Sequence, residues 1–288
     1  MHPAEQTAPA LISVTDLAHA LGSPGIVVVD CRHDLARPDW GERSWRDAHV
    51  PDAAFAHLDR DLSGPVTAGS GRHPLPDQAR LAAFLGQIGI DRDTHVVAYD
   101  QGKAAYAARL WWLLRWLGHT RVSVLDGGLA AWQAAGLPLD AVSPVPAPTR
   151  FVITSALEAD IGTAALQDEL KADTAVLFDA RGADRFAGEN ETIDPVAGHV
   201  PGARNHPFTL NFGADGRLLP AQELARRWGA ELAGRTPASV VSMCGSGVTA
   251  CANLLAMHVA GLSGARLYGG SWSEWIRDPA RPVATGTG

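Results

Sequence analysis

The sequence predicts an α/β protein built from two copies of one domain. Short β-branched runs alternate with longer helical patterns, which implies a parallel sheet covered by helices. A set of motifs recurs in the same order at a spacing of roughly 140 to 150 residues, the length of one domain. A cysteine closes one of the strands and is followed at once by glycines, placing a thiol beyond the carboxyl end of a sheet, where such folds gather ligands.

In the first half, strands are expected near 26–30, 96–99 and 122–125, with helices near 77–88 and 102–117. The second half reads likewise, with strands near 176–179, 240–243 and 265–267 and helices near 156–171, 220–232 and 248–260. Helix 102–117 carries Trp111, Trp112 and Trp116, expected as core or packing residues rather than substrate platforms.

The repeat is visible residue by residue. Val27-Val28-Val29-Asp30-Cys31-Arg32 answers Val176-Leu177-Phe178-Asp179-Ala180-Arg181, and His49-Val50-Pro51-Asp52-Ala53 answers His199-Val200-Pro201-Gly202-Ala203. Val96 to Asp100 answers Val240 to Cys244, and Asp126-Gly127-Gly128 with Trp132 answers Tyr268-Gly269-Gly270 with Trp275. Pro138, Pro144, Pro146 and Pro148 punctuate an unpatterned stretch between the copies. The expected division is 10–140, a linker over 141–150, and 151–284.

Composition narrows the function. With 288 residues, 46% hydrophobic and 19% charged, the chain has the balance of a globular protein. Its net charge of -7 and dispersed arginines argue against a nucleic-acid partner. No run approaches the roughly 18 apolar residues of a membrane span, and the amino terminus lacks signal-peptide blocks. A cytoplasmic location is expected, and three scattered cysteines do not form a disulfide framework.

A single cysteine is ordinarily a small core hydrophobe. Cys251, among Ala252, Leu254 and Leu255, and Cys31, between Asp30 and Arg32, fit that description. Cys244 does not, because Gly245 and Gly247 let the chain curl around the sulfur and the following helix directs unpaired N–H groups toward an anion there.

Three chemistries are disfavoured. Gly245-x-Gly247-x-x-Ala250 matches a dinucleotide fingerprint formally, but no carboxylate stands at the end of the next strand to hold a ribose. A cysteine phosphatase needs an arginine six positions after the cysteine, where Ala250 stands. Signatures of cysteine hydrolases are missing. Among the 11 histidines no metal-ligand spacing exists, so neither metal nor cofactor is expected.

What remains is a nucleophile that holds an anionic sulfur species. Asp179-x-Arg181, Gly198-His199-Val200-Pro201-Gly202-Ala203, Cys244-Gly245-Ser246-Gly247-Val248-Thr249-Ala250 and Gly269-Gly270-Ser271-Trp272 together resemble the catalytic motifs of the tandem-domain rhodanese family of sulfurtransferases. The resemblance covers almost the whole chain. It implies two rhodanese-like domains with the active cysteine in the second and the Cys244 loop facing the domain interface; the first copy, with Asp100 in place of the cysteine, is expected to be catalytically silent and to shape the cleft. It also implies a persulfide cycle: Cys244 takes sulfane sulfur from a small anionic donor and passes it to a thiol or cyanide.

Within that family a loop carrying Gly245-Ser246-Gly247, rather than cations, accompanies 3-mercaptopyruvate as donor. A loop without cations also holds a dianion less well and leaves a hydroxyl free to meet a ketoacid. Gly245, Ser246, Gly247, Val248 and Thr249 are expected to line the donor site, and Arg185, which matches the family's substrate-binding arginine before an aromatic residue, is implied to grip its carboxylate. Mercaptopyruvate enzymes carry a second arginine nine positions later, where Asp194 stands here, so thiosulfate is the alternative donor. Ser246, His73 and Asp61 are the expected accessory set.

In the first copy Asp100 takes the place of Cys244, and a carboxylate is expected to sit poorly in an anion-binding ring. The histidines of both His-Val-Pro turns and the Asp-x-Arg pairs recur in the silent copy, which favours structural roles for them. The rival from another class is a non-enzymatic sulfur carrier or regulatory module, and no dedicated protein partner is assigned.

Overall fold

The computed structural model describes residues 7–287, arranged as two compact units. The first comprises residues through Ser63, Pro76–Leu157 and Gly213–Leu218; the second comprises Gly64–Leu75, Glu158–Phe212 and the remainder from Leu219. Neither unit is contiguous in sequence. The segment Gly64–Leu75, in the amino-terminal half of the chain, belongs to the second unit.

The first unit holds strands β1 (Leu11–Ile12), β2 (Ile26–Asp30), β3 (Ala54–Phe55), β4 (His95–Tyr99) and β5 (Val122–Leu125). Its helices are α1 (Val14–Ala20), α2 (Trp40–Asp47), α3 (Gln78–Gln87), α4 (Ala107–Trp116) and α5 (Gly128–Ala134). The strands form one parallel sheet in the order β1-β5-β4-β2-β3, with Val28 opposite Val97 and Val97 opposite Ser123. Helices on both faces explain why β2 and β4 read as unbroken apolar runs instead of alternating ones.

The second unit repeats this plan with β6 (Ala159–Asp160), β7 (Val176–Asp179), β8 (Arg204–Asn205), β9 (Val240–Met243) and β10 (Arg266–Leu267). Its helices are α6 (Thr163–Lys171), α7 (Ala183–Ala187), α8 (Ala221–Leu232), α9 (Ala250–Val259) and α10 (Ser271–Trp275). The parallel order β6-β10-β9-β7-β8 matches the first sheet strand for strand. Duplication in sequence is thus duplication in topology. Trp111, Trp112, Trp132, Trp228 and Trp272 are among the largest fully buried side chains of the two cores.

Two helix starts differ from expectation. Residues 102–106 are not helical, because the Asp100 carboxylate captures the N–H groups of Tyr106 and Ala107 and delays α4 to Ala107. Residues 159–160, expected within a helix from 156, instead pair with Arg266 and Leu267 as the edge strand β6, so α6 begins at Thr163.

Matching devices close both copies. Arg32 binds Asp30 and donates to the Ala48 carbonyl at 2.7 Å, and Arg181 binds Asp179 and donates to the Gly198 carbonyl at 2.8 Å. Each arginine thereby ties a strand end to the peptide before a His-Val-Pro turn. His49 bridges to Asp140 and His199 to Ala284 through paired backbone bonds, and His199 stacks on Phe186 at 3.8 Å. No helix of the described residues is long and apolar enough to cross a membrane.

Candidate active site

Cys244 directly follows β9 and is almost fully buried. Its loop is fastened to α10 by three bonds: the Cys244 N–H donates to Ser271 Oγ at 3.0 Å, Trp272 N–H to the Cys244 carbonyl at 3.0 Å, and Ser273 N–H to the Gly245 carbonyl at 2.9 Å. Ser271 holds a left-handed backbone, φ +53, that turns its hydroxyl toward both the Cys244 N–H and the Tyr268 carbonyl. The Gly269-Gly270-Ser271-Trp272 motif is therefore the clamp of the cysteine loop.

Gly247, with φ +79, bends the loop so that its own N–H reaches Cys244 Sγ at 3.2 Å. A Cβ on Gly247 would collide with the Gly269 carbonyl, so no larger residue fits. The N–H groups of Ser246, Val248 and Thr249 have no partner among the described residues. They leave a set of open backbone donors on the loop that begins at the thiol. Helix α9 starts only at Ala250, so the N–H that reaches the sulfur comes from the loop and not from the helix.

Two guanidinium groups flank the same loop. A Cβ built on Gly245 would lie 2.9 Å from Arg72 Nη2 and 3.6 Å from Arg185 Nη2. Glycine at 245 keeps open the space between thiol and cations. Arg185 was expected from the sequence; Arg72, next to His73 in a Gly- and Pro-punctuated loop, was not singled out there. The Arg72 N–H also donates to Ser273 Oγ at 3.0 Å, which fixes its loop to α10.

Two carboxylates hold these cations. Glu191 binds Arg185 bidentately at 2.9–3.2 Å and accepts the N–H groups of Ile193 and Asp194 at 2.8 and 3.0 Å. Burial opposes its ionisation, but those bonds prevail and hold the Glu191 carboxyl below its usual value. Asp194 spans both guanidiniums, pairing with Arg72 Nη1 and, at 3.1 Å, with Arg185 Nη2. Burial pushes the Asp194 carboxyl upward despite these cations, and Glu191 adds to the effect.

Ser246 Oγ lies 2.7 Å from His73 Nδ1, and both residues are buried. Asp61 belongs to the first unit, where its carboxylate accepts the His57 N–H at 2.8 Å and the Arg60 guanidinium at 3.2 Å. Val248 and Thr249 offer their carbonyls to Cys251 and Ala252 at 3.1 Å, opening α9. Cys251 is buried, its thiol donating to the Gly247 carbonyl at 3.4 Å.

The first unit shows what occupies the matching loop there. Asp100 follows β4, fully buried, and its carboxylate accepts N–H bonds from Gly102 at 2.8 Å, Tyr106 at 2.8 Å and Ala107 at 3.1 Å. The carboxylate expected to fit this ring poorly does collect three amide donors, yet its ionised form remains disfavoured there. Left-handed Lys103 and Ala104 curl the loop so that three donors reach the oxygens. Burial still raises the Asp100 carboxyl to about 6, against the lowering effect of these bonds.

Folding also gathers His33, His57 and Asp59, whose ligand atoms lie within 4.8 Å of one another, a grouping that sequence spacing did not reveal. His57 Nδ1 faces the N–H groups of Asp59 and Arg60 at 3.1 and 3.4 Å. It is thus the acceptor nitrogen, which leaves the proton on Nε2 and opposes coordination there.

Comparison with known proteins accords with this arrangement. The family model described as "Rhodanese-like domain" matches twice, over residues 13–135 and 163–278. A probable 3-mercaptopyruvate sulfurtransferase of Pseudomonas aeruginosa is 51% identical over 278 residues, covering 96% of this chain and 98% of that protein. A putative thiosulfate sulfurtransferase of Mycobacterium tuberculosis is 39% identical, covering 96% of this chain and 97% of that one. The solved 3-mercaptopyruvate sulfurtransferase of Leishmania major superposes with a TM-score of 0.80 at 33% identity, covering 94% of this chain and 76% of that one. With two matched domains, two identically ordered sheets and sulfurtransferase relatives along nearly its full length, the chain belongs to the rhodanese family.

Proposed function

We propose that the protein is a sulfurtransferase that moves sulfane sulfur from 3-mercaptopyruvate through a Cys244 persulfide to a thiol or cyanide acceptor. One observation carries the reading: the Cys244 sulfur begins a loop of open backbone donors, with two guanidiniums converging on Gly245 beside it. Amide donors stabilise an anionic sulfur, and the cations hold a carboxylate.

In the first half-reaction the Cys244 thiolate attacks the donor sulfur. The sulfur–carbon bond breaks with its electron pair going to carbon, and the resulting pyruvate enolate takes the persulfide proton to become pyruvate. The developing enolate oxygen needs a donor. With His73 protonated on Nδ1, that nitrogen donates to Ser246 Oγ and leaves the hydroxyl proton for the ketone oxygen. In the second half-reaction an acceptor thiolate attacks the outer sulfur, carries it away as a persulfide and returns Cys244 as thiolate. No oxidant is consumed.

Arg72 and Arg185 grip the donor carboxylate in this scheme, while Gly245, Gly247, Val248 and Thr249 shape the loop. Asp61 is assigned no step in it, its carboxylate being held by the His57 N–H and Arg60. The first unit is catalytically silent, because Asp100 fills its own ring. Thiosulfate is the alternative donor, which would meet the same two guanidiniums. Small-molecule donor and acceptor are the partners inferred; neither nucleic acid nor cofactor takes part, and the free cysteines suit a cytoplasmic setting.

The test is sulfide release from mercaptopyruvate with a small thiol, by the parent protein and by Cys244→Ser. Loss of turnover in the variant is expected; equal turnover would remove Cys244 from the chemistry, and no turnover by the parent would leave a scaffold or carrier role in its place. The ratio of kcat/KM for the two donors decides between them, and a large preference for thiosulfate would overturn the donor assignment.

A further inference from the structure

We propose that Asp194 sets the donor charge preference, acting as an internal counter-anion that neutralises the Arg72–Arg185 pair and so disfavours dianionic donors. The inference rests on the reading of those two arginines as the donor grip.

The two carboxylates at this cluster are not equivalent. Glu191 is built into the frame, bound by two backbone N–H groups, by Arg185 and by Arg181 at 3.4 Å. Asp194 has only the two guanidiniums as carboxylate partners among the described residues. It uses Arg72 Nη1 and Arg185 Nη2, whereas Arg72 Nη2 turns toward Gly245. Each guanidinium carries five donors in a fixed fork, so both retain N–H groups for a second anion.

The charges decide what that second anion is. Arg72 and Arg185 are balanced by Glu191 and Asp194, and the neighbouring Arg181 is balanced by Asp179. A monocarboxylate entering a neutral cluster gains directed hydrogen bonds at little Coulombic cost. A dianion meets the Asp194 charge with twice the repulsion and finds no surplus cation. The negative residue is thus a filter, standing where the family's mercaptopyruvate enzymes place an arginine.

The experiment compares the parent, Asp194→Asn and Asp194→Glu, measuring kcat/KM for thiosulfate and for mercaptopyruvate at fixed ionic strength. The Asn variant removes one negative charge at constant size, so the thiosulfate-to-mercaptopyruvate ratio is expected to rise at least about tenfold, mostly through KM for thiosulfate. The Glu variant keeps the charge and returns the ratio toward the parent value. A ratio that moves less than about twofold, or equal losses for both donors, would mean that Asp194 only positions the arginines.

Should the Asn variant fail to fold, the parent answers alone through competitive inhibition by sulfate and by pyruvate. Sulfate binding no tighter than pyruvate supports the filter; sulfate tighter by about tenfold or more overturns it. If the parent itself prefers thiosulfate, the donor assignment above falls, while the change in ratio between parent and Asn variant still judges Asp194.

Discussion

The loops after β4 and β9 are two copies of one device with opposite contents. In the second unit the strand is followed by a thiol that receives a single amide bond, and neighbouring amides stay open. In the first unit the strand is followed by a carboxylate that takes three amides for itself. An anion ring left open is a site, and an anion ring filled from within is a structural joint. The scaffold is thus neutral between chemistry and architecture, and one side chain decides.

Four measurements test that contrast. Cys244→Ser removes the sulfur acceptor and should lower sulfur transfer by at least about a thousandfold while leaving the melting temperature near that of the parent. Asp100→Ala should do the reverse: transfer chemistry at Cys244 is retained per folded molecule, but three buried donors lose their acceptor, costing about 3 kcal/mol or more in denaturant titration. An Asp100→Ala protein as stable as the parent would show that the joint holds nothing.

The third concerns pH. The Asp100 carboxyl rises from its ordinary 3.8 to about 6 on folding, so between those values the folded chain holds a proton that the unfolded chain has released. Stability from this group is therefore full below about pH 4 and declines as pH rises through 6, by up to about 3 kcal/mol. Thermal or urea unfolding of the parent and Asp100→Asn at pH 4 and pH 7 should show the gap moving in that direction, and a gap independent of pH would refute it. The smallest effect expected is that of Ser246→Ala, which should lower kcat/KM for mercaptopyruvate about tenfold and leave thiosulfate, with no ketone to polarise, nearly unchanged.

Much of this was legible in the chain. The strand before Cys244 and the duplication were available from residue patterns, because buried parallel strands and glycine-rich loops leave strong local signals, and Arg185 came from the family resemblance. The two-residue edge strands β1, β3, β6 and β8 were not, since such short pairings carry no period. Arg72 also escaped. Its neighbour His73 was marked, yet nothing local shows that Gly64–Leu75 joins the second unit, some hundred residues away in sequence. Asp194 was seen only as a departure from the family pattern; its bridge between two guanidiniums is a tertiary fact. The three amide bonds to Asp100 depend on Lys103 and Ala104 adopting left-handed conformations, which neither residue type advertises.

The placement of Gly64–Leu75 bears on how such a protein persists through evolution. A gene fragment beginning at the proline-rich connector would encode the sulfur nucleophile without Arg72 or His73. The copy without a thiol is therefore indispensable, since excising it would strip a cation and an imidazole from its sibling.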